Sequence, residues 1–174
     1  MNAATGGESE EVRIARTLRT LVFRLGPLGR YQALNARGIP LLPKVVAEGA
    51  TRGQAELRAK RRIASAFHRQ AQESQFVTER LLKGIHPRIQ QGRWLVTATE
   101  FKLFISRVRR YRCGIYGIET WSHDRMTHVR IFERHSNSPS DPSWYLGAYE
   151  ALLRLAPRSM FHASVYVPRK LLRR

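Results

Sequence analysis

Residues 107–135 read RVRRYRCGIYGIETWSHDRMTHVRIFERH, and this stretch decides the predicted fold. Its first six residues contain four arginines and lie at the end of a predicted helix. Two β-rich runs follow on either side of a polar turn, and their alternating side chains predict a hairpin. We therefore expect a cationic helix end that passes directly into a sheet.

The elements on both sides of this stretch extend the prediction. From residue 93 onward we expect a strand at 94–97, a helix from Thr97 and Glu100 through Tyr111, the two strands of the hairpin, a helix at 144–155 and a strand at 160–167. This β-α-β-β-α-β order is that of a ferredoxin-like domain. The sequence thus predicts a small α+β domain at 93–168, followed by a basic tail at 169–174.

The N-terminal half predicts a helical region at 9–87 after a disordered lead at 1–8. Ser9, followed by two glutamates, is a suitable cap for a first helix that ends at Gly26-Pro27. A second, long basic helix begins at Thr51, because residues 52–83 contain no proline and are rich in good helix formers. The glycines and prolines between these helices predict a loop.

The charge of the chain indicates a polyanionic partner. Among 174 residues, 31 are lysine or arginine and 13 are aspartate or glutamate, which gives a net charge of +18. A compact chain with this charge repels itself unless a polyanion neutralises part of it, and nucleic acid is the leading candidate. Only five of the basic residues are lysines, and guanidinium groups suit bidentate contact with phosphate.

The excess charge lies on both flanks of one near-neutral segment. Residues 88–112 carry seven basic and one acidic residue, and residues 151–174 carry six basic residues and no acidic ones. Residues 113–150 between them carry three basic and five acidic residues. We therefore predict that phosphate is bound by arginines of the basic flanks and the long helix. These are Arg61, Arg62, Arg69, Arg107, Arg109, Arg110, Arg112, Arg169 and Arg173.

Three histidines of the hairpin region could carry chemistry. His123 or His128 could act as a general base or acid in metal-independent cleavage of RNA. A metal site is not expected, because His128 and His135 are seven residues apart and an extended strand points them to opposite faces. No nucleotide-binding or nucleophile-elbow motif occurs, so we expect no cofactor.

The aromatic residues of the predicted strands have two possible roles. Exposed rings on a sheet can stack on the bases of a single strand, whereas buried rings build the core. The sequence leaves both roles open for Tyr116, Trp121, Phe132, Phe161 and Tyr166.

One cysteine, Cys113, excludes an internal disulfide and a cysteine-based zinc cluster, and it suits a reducing compartment. No apolar run approaches the roughly 18 residues that cross a bilayer. We therefore expect a cytoplasmic protein without a membrane partner.

Together these features predict a non-catalytic RNA-binding subunit of a ribonucleoprotein complex, of the CRISPR or ribosome type, which also contacts other protein subunits. Two alternatives remain. One is a small endoribonuclease that uses His123 or His128. The other is a DNA-binding accessory factor of a plasmid or other mobile element.

Overall fold

A computed structural model of the chain describes residues 8–26, 28–37 and 42–172. The predicted disordered lead falls outside these residues except for Glu8. The chain divides into two compact units, Met1–Ala71 and Gln72–Arg174. Both units combine helices with antiparallel strands, which confirms the α+β prediction. Within the described ranges, no helix is both long and apolar enough to span a membrane.

The first unit begins with helix α1, Glu10–Arg19. The Ser9 hydroxyl accepts a hydrogen bond from the Val12 amide at 3.3 Å, which is the predicted cap. The helix ends earlier than its apolar spacing predicted, because the chain turns after Arg19 into a strand. Ile14 is its buried residue.

Three short strands follow, β1 (Val22–Leu25), β2 (Tyr31–Leu34) and β3 (Val45–Gly49). They form an antiparallel sheet in the order β1-β2-β3. The predicted helical region at 9–87 therefore contains a sheet. A strand of four residues is too short to distinguish its period from that of a helix, and this explains the difference.

The long helix α2 covers Arg52–Phe76 and continues as one π-helical turn, Val77–Leu81. Its start is fixed as predicted, because Thr51 Oγ1 accepts from the Gln54 amide at 3.2 Å and Gln54 Oε1 accepts from the Ala50 amide at 3.1 Å. Its apolar side completes the core of the first unit. That core contains Ile14, Leu21, Ala33, Val46, Ala47, Ala59 and Ile63.

The second unit contains the strands and helices expected from residue 93 onward, preceded by one further strand that was not predicted. Its elements are a hairpin of β4 (Arg88–Gln90) and β5 (Arg93–Leu95), helix α3 (Ala98–Arg110), strands β6 (Gly114–Ser122) and β7 (Arg125–Ile131), a 3-10 turn (Phe132–Arg134), helix α4 (Pro142–Leu155), strand β8 (Met160–Tyr166) and a 3-10 turn (Arg169–Leu171).

The central sheet of this unit has the order β7-β6-β8, with antiparallel neighbours. Val96, just after β5, forms an antiparallel bridge with Phe161 through backbone hydrogen bonds of 2.8 and 3.0 Å. The last strand, β8, therefore lies between β6 and the end of β5. In a ferredoxin-like sheet, the third strand of the predicted four, which is β7 here, would lie between β6 and β5. The ferredoxin-like order is therefore not confirmed.

Helices α3 and α4 pack on one face of the sheet. The largest fully buried side chains here include Phe101 and Phe104 of α3, Tyr145 of α4 and Phe161 of β8. The Phe101 ring lies 5.2 Å from the Phe161 ring and 5.5 Å from the Tyr149 ring. The aromatic core fixes α3 and its cationic end against the sheet.

Candidate nucleic-acid interface

The arginines at the end of α3 are positioned by the way this helix begins and packs. Thr97 Oγ1 accepts from the Glu100 amide, and Glu100 Oε2 accepts from the Thr97 amide at 2.9 Å, which completes a capping box. Hydrogen bonds from the Thr97 amide and the Thr97 hydroxyl to the Glu100 carboxylate hold the pKa of Glu100 below its usual value. With the helix start fixed, its buried stripe ends at Val108, and Arg109 and Arg110 are exposed.

The chain reverses immediately after these two arginines. Arg112 has a left-handed backbone with φ of 53°, and the next residue, Cys113, is buried at the start of the sheet. The bend keeps Arg112 beside Arg109 and Arg110 instead of carrying it along β6. A helix C-terminus has partial negative charge, which favours cations at this position.

These three arginines line one cleft of about 530 Å³, which we call the arginine cleft. Its lining consists of Ser106, Arg109, Arg110, Arg112, Cys113, Ser140, Pro142 and Tyr145. Within the described part of the chain, no carboxylate lies within ion-pair distance of the three guanidinium groups. The cleft is therefore a concentration of positive charge in which none of the three guanidinium groups is ion-paired to a described carboxylate.

A buried hydroxyl group also belongs to the arginine cleft. Tyr145 is 0% exposed, and its hydroxyl has no hydrogen-bond partner among the described residues. Burial raises the pKa of Tyr145, an effect that nearby Arg109 opposes and Asp141 strengthens, so the group remains a neutral donor at neutral pH. An unsatisfied buried hydroxyl costs about 1–3 kcal/mol. A bound anion that reached it would recover part of this cost.

Asp141 is the carboxylate at the edge of the cleft. It caps α4 by accepting from the Ser143 amide at 2.9 Å, and it also accepts from the hydroxyls of Ser143 and Ser136. These donors lower the pKa of Asp141, so it stays charged. Its single negative charge is committed to the helix cap and offsets only part of the charge of three arginines.

No family model matches the chain, and a significant match was found neither among curated proteins nor among solved structures. The site is therefore interpreted from its own geometry.

Two other arginines predicted for phosphate donate a hydrogen bond to a backbone carbonyl. Arg107 donates to the Leu81 carbonyl at 2.9 Å, and Arg62 donates to the Val46 carbonyl at 2.8 Å. Arg58 makes an equivalent bond to the Glu48 carbonyl at 2.8 Å. Val46 and Glu48 belong to the edge strand β3, so Arg58 and Arg62 cover an edge that would otherwise be open to pairing.

The remaining predicted arginines are dispersed. Arg61 lines a cavity of the first unit of about 580 Å³, with Arg30, Val45, Ala47, Glu48, Arg58 and Arg62. Arg69 lies further along α2 and is half-buried. Arg169 is exposed in the last 3-10 turn, and Arg173 lies outside the described residues.

The two histidines predicted for catalysis lie on the β6–β7 hairpin and are exposed. His123 occupies the turn with φ of 53°, and its Nδ1 is 3.2 Å from the Ser122 hydroxyl. His128 lies on β7, with Nδ1 3.4 Å from the Thr120 hydroxyl. In the described ranges, no group of three or more histidine, cysteine or acidic residues could hold a metal ion.

Cys113 is a structural residue in this setting. Its side chain is 1% exposed, and burial raises the pKa of the thiol to about 12. A thiol with this pKa carries almost no thiolate at neutral pH and is a poor nucleophile. The adjacent guanidinium of Arg112 does not reverse the effect of burial.

Tyr145 is the member of the arginine cleft that the sequence did not indicate. It lies more than 30 residues after Arg112, at the start of α4, and a tyrosine there is typical of a helix core. Its proximity to the arginines results from the packing of α4 on the sheet. No local pattern in the sequence signals it.

Proposed function

We propose that this protein binds nucleic acid, with RNA favoured over DNA, and that it acts as a non-catalytic RNA-binding subunit of a ribonucleoprotein complex. The observation that carries the proposal is the arginine cleft. Three guanidinium groups line it without a carboxylate partner in the described residues, and the buried Tyr145 hydroxyl lies beside them.

The chemistry of the cleft suits phosphate. Guanidinium is planar and always charged, and it donates two parallel hydrogen bonds to the oxygens of a phosphate. A phosphate oxygen that accepts from Tyr145 would also satisfy a buried donor that has no partner among the described residues. Each of these interactions is independent of base sequence, so the cleft positions a backbone and does not read bases.

The net charge of +18 supports a polyanion in preference to a single small anion. A single phosphate would neutralise only part of the charge of the three arginines in the cleft and would leave most of the excess in place. Arg61 and Arg30 line a second basic cavity on the first unit, and Arg169 is exposed near the C-terminus. A nucleic acid strand offers a phosphate to each of these groups.

The proposal extends to partners and location. RNA is favoured because single-stranded segments, which aromatic side chains can bind, are common in RNA. Other protein subunits are proposed as partners because a ribonucleoprotein complex shares the neutralisation of its charge among components. A single buried cysteine suits the reducing cytoplasm.

The test is to identify the nucleic acid that co-purifies with the protein. The extract is divided, treated with RNase or DNase, and the surviving strands are sequenced. The proposal predicts material that RNase removes and DNase leaves. Material that only DNase removes would favour the DNA-binding alternative, and a preparation that binds neither RNA nor DNA at low salt would refute both.

A separate reaction tests the endoribonuclease alternative. Labelled structured RNA is incubated with the protein in EDTA, and the proposal predicts that it stays intact. Products ending in 2′,3′-cyclic phosphate that disappear in His123→Ala or His128→Ala would show catalysis and contradict the non-catalytic role.

A further inference from the structure

The strand register identifies the residues on the face of the central sheet that points away from α3 and α4. On β6, Ile118 and Thr120 are 0% exposed on the helix side, so Gly117, Glu119 and Trp121 belong to the opposite face. The flanking residues of this face are Ile131 and Ser164 beside Gly117, Val129 and His162 beside Glu119, and Met126 and Met160 beside Trp121. We call it the open face.

One end of the open face is covered by the chain itself. The Arg93 guanidinium lies 5.3 Å from the Trp121 ring centre, and the Trp121 indole donates to Glu119 at 3.0 Å. The β4–β5 hairpin is also attached here, because Gln90 donates to the His123 carbonyl at 3.2 Å. Trp121 is only 5% exposed as a result. This end is part of the folded core.

The other end of the open face presents an accessible aromatic ring. Tyr116 is 41% exposed, and its ring centre lies 5.8 Å from those of Phe132 and Tyr166. Tyr116 is the extra residue of a β-bulge, since the register with β8 shifts between Ile115 and Gly117. Bulges of this kind redirect a side chain, and two neighbouring rings then hold Tyr116 in place.

Gly117, which follows Tyr116 on β6, is itself buried. A Cβ atom at Gly117 would lie 3.4 Å from the Arg130 carbonyl oxygen and 3.6 Å from Ile131 Cγ2, which are ordinary contacts. The packing of the fold therefore does not require glycine at this position.

An exposed cation follows one of these rings in the chain. Arg169 comes three residues after Tyr166, and no described carboxylate lies within ion-pair distance of it. Arg134, two residues after Phe132, instead lines a cavity with Leu152 and Leu155 of α4. An accessible ring on a strongly basic chain matches the way in which proteins hold single strands, where a base stacks on the ring and arginines contact the backbone. A paired base is not available for such stacking.

We propose that Tyr116 stacks on an unpaired base, so that the open face binds single-stranded RNA. The inference rests on the proposed function and names the form of nucleic acid that the protein prefers. The phosphates of the same strand would contact arginines of the protein, and Tyr116 would add a contribution to the binding free energy that does not depend on charge.

The independence from charge makes the inference testable. Binding of a fluorescent single-stranded RNA and of a fully paired duplex of equal length is measured by anisotropy at several salt concentrations. For the single strand, Tyr116→Ala should weaken binding by about 5- to 150-fold, the range for stacking one base on an aromatic ring. The loss should be the same at every salt concentration, because stacking releases no counterions. Duplex binding should stay unchanged.

Two variants make the result specific. Tyr116→Phe keeps the ring and should retain single-strand affinity within about twofold of the wild type. Leu103→Ala removes an apolar side chain of similar exposure, 44%, from α3 and should have no effect. Thermal melting confirms that each variant is folded, as expected for substitutions at exposed positions.

The experiment distinguishes a failure of the stacking inference from a failure of the proposed function. If the wild type binds RNA and Tyr116→Ala binds the single strand equally well, the stacking inference is refuted and the proposed function stands. An equal loss on single strand and duplex, or a loss that shrinks as salt rises, would also overturn it. If the wild type binds no nucleic acid, the proposed function fails as well.

Discussion

Neutralising the arginine cleft should weaken RNA binding by an amount that can be calculated from the number of arginines that line it. The variant replaces Arg109, Arg110 and Arg112 with glutamine, which keeps hydrogen-bonding capacity and removes three positive charges. Each phosphate contact on a single strand contributes about 0.7 to the slope of log K against log salt. Three contacts therefore contribute about 2, and at about 0.1 M salt this corresponds to a loss of roughly 100-fold in affinity.

The assay is anisotropy of a labelled single-stranded RNA across a salt series, with wild type and variant side by side. A matched control replaces three exposed cations of the same unit outside the cleft, Lys83, Arg154 and Arg158, with glutamine. The control has the same net charge as the variant, so any difference between them reports position and not total charge. Thermal melting verifies that both proteins are folded.

Two results would refute the reasoning. If the triple variant keeps the wild-type slope, the three arginines do not contact phosphate. If the control loses as much slope as the variant, the protein attracts RNA through its overall charge and the arginine cleft has no special role.

Three further predictions concern single groups. Tyr145→Phe removes an unsatisfied buried hydroxyl, so the variant should be at least as stable to urea as the wild type, and it should bind RNA more weakly. A clear loss of stability would show that the hydroxyl already has a partner. Burial raises the pKa of Cys113 to about 12, so this thiol should resist a thiol reagent at about pH 8 in the folded protein and should react once urea unfolds the chain. Rapid labelling of the folded protein would contradict the burial of Cys113. The pKa of Glu100 is lowered from its ordinary value of 4.5, so the charged carboxylate stabilises the fold at higher pH. The wild type should therefore have a larger free energy of unfolding than Glu100→Gln at neutral pH, and this difference should disappear as the pH falls through the lowered pKa. A difference that stays constant with pH would contradict this prediction.

The helices and strands that follow one another along the chain from residue 93 onward could be predicted, because the signals for each of them are local. The capping box of Thr97 and Glu100 and the alternation in the hairpin depend on residues close in sequence. The strand order could not be predicted, because the pairing of β6 with β8 depends on contacts between segments about 40 residues apart. The near-continuous burial of β6 is the feature that agrees with its central position.

The sheet of the first unit was missed for a different reason. Its strands have four or five residues and lie among glycines and prolines that predict a loop. Leu21, Val22 and Leu25 also match the spacing of the preceding helix. Short strands gain their stability from pairing and from packing against helices, and this is not visible in local sequence.

The candidate site was predicted in part. Arg109, Arg110 and Arg112 are neighbours in sequence, and the structure places all three around one cleft. Arg62 and Arg107 have the same chemistry but donate to backbone carbonyls, which only tertiary structure determines. Among the aromatic candidates, the structure likewise separates Phe161, which is fully buried, from Tyr116, which is exposed.

The most direct test of the central claim is the salt dependence of RNA binding by the wild-type protein. We predict a straight line of log K against log salt with a slope of about −2 or steeper, because we expect each of the three arginines of the cleft to neutralise one phosphate. A slope near zero, or the absence of measurable binding at about 50 mM salt, would contradict a protein that holds RNA through its phosphates.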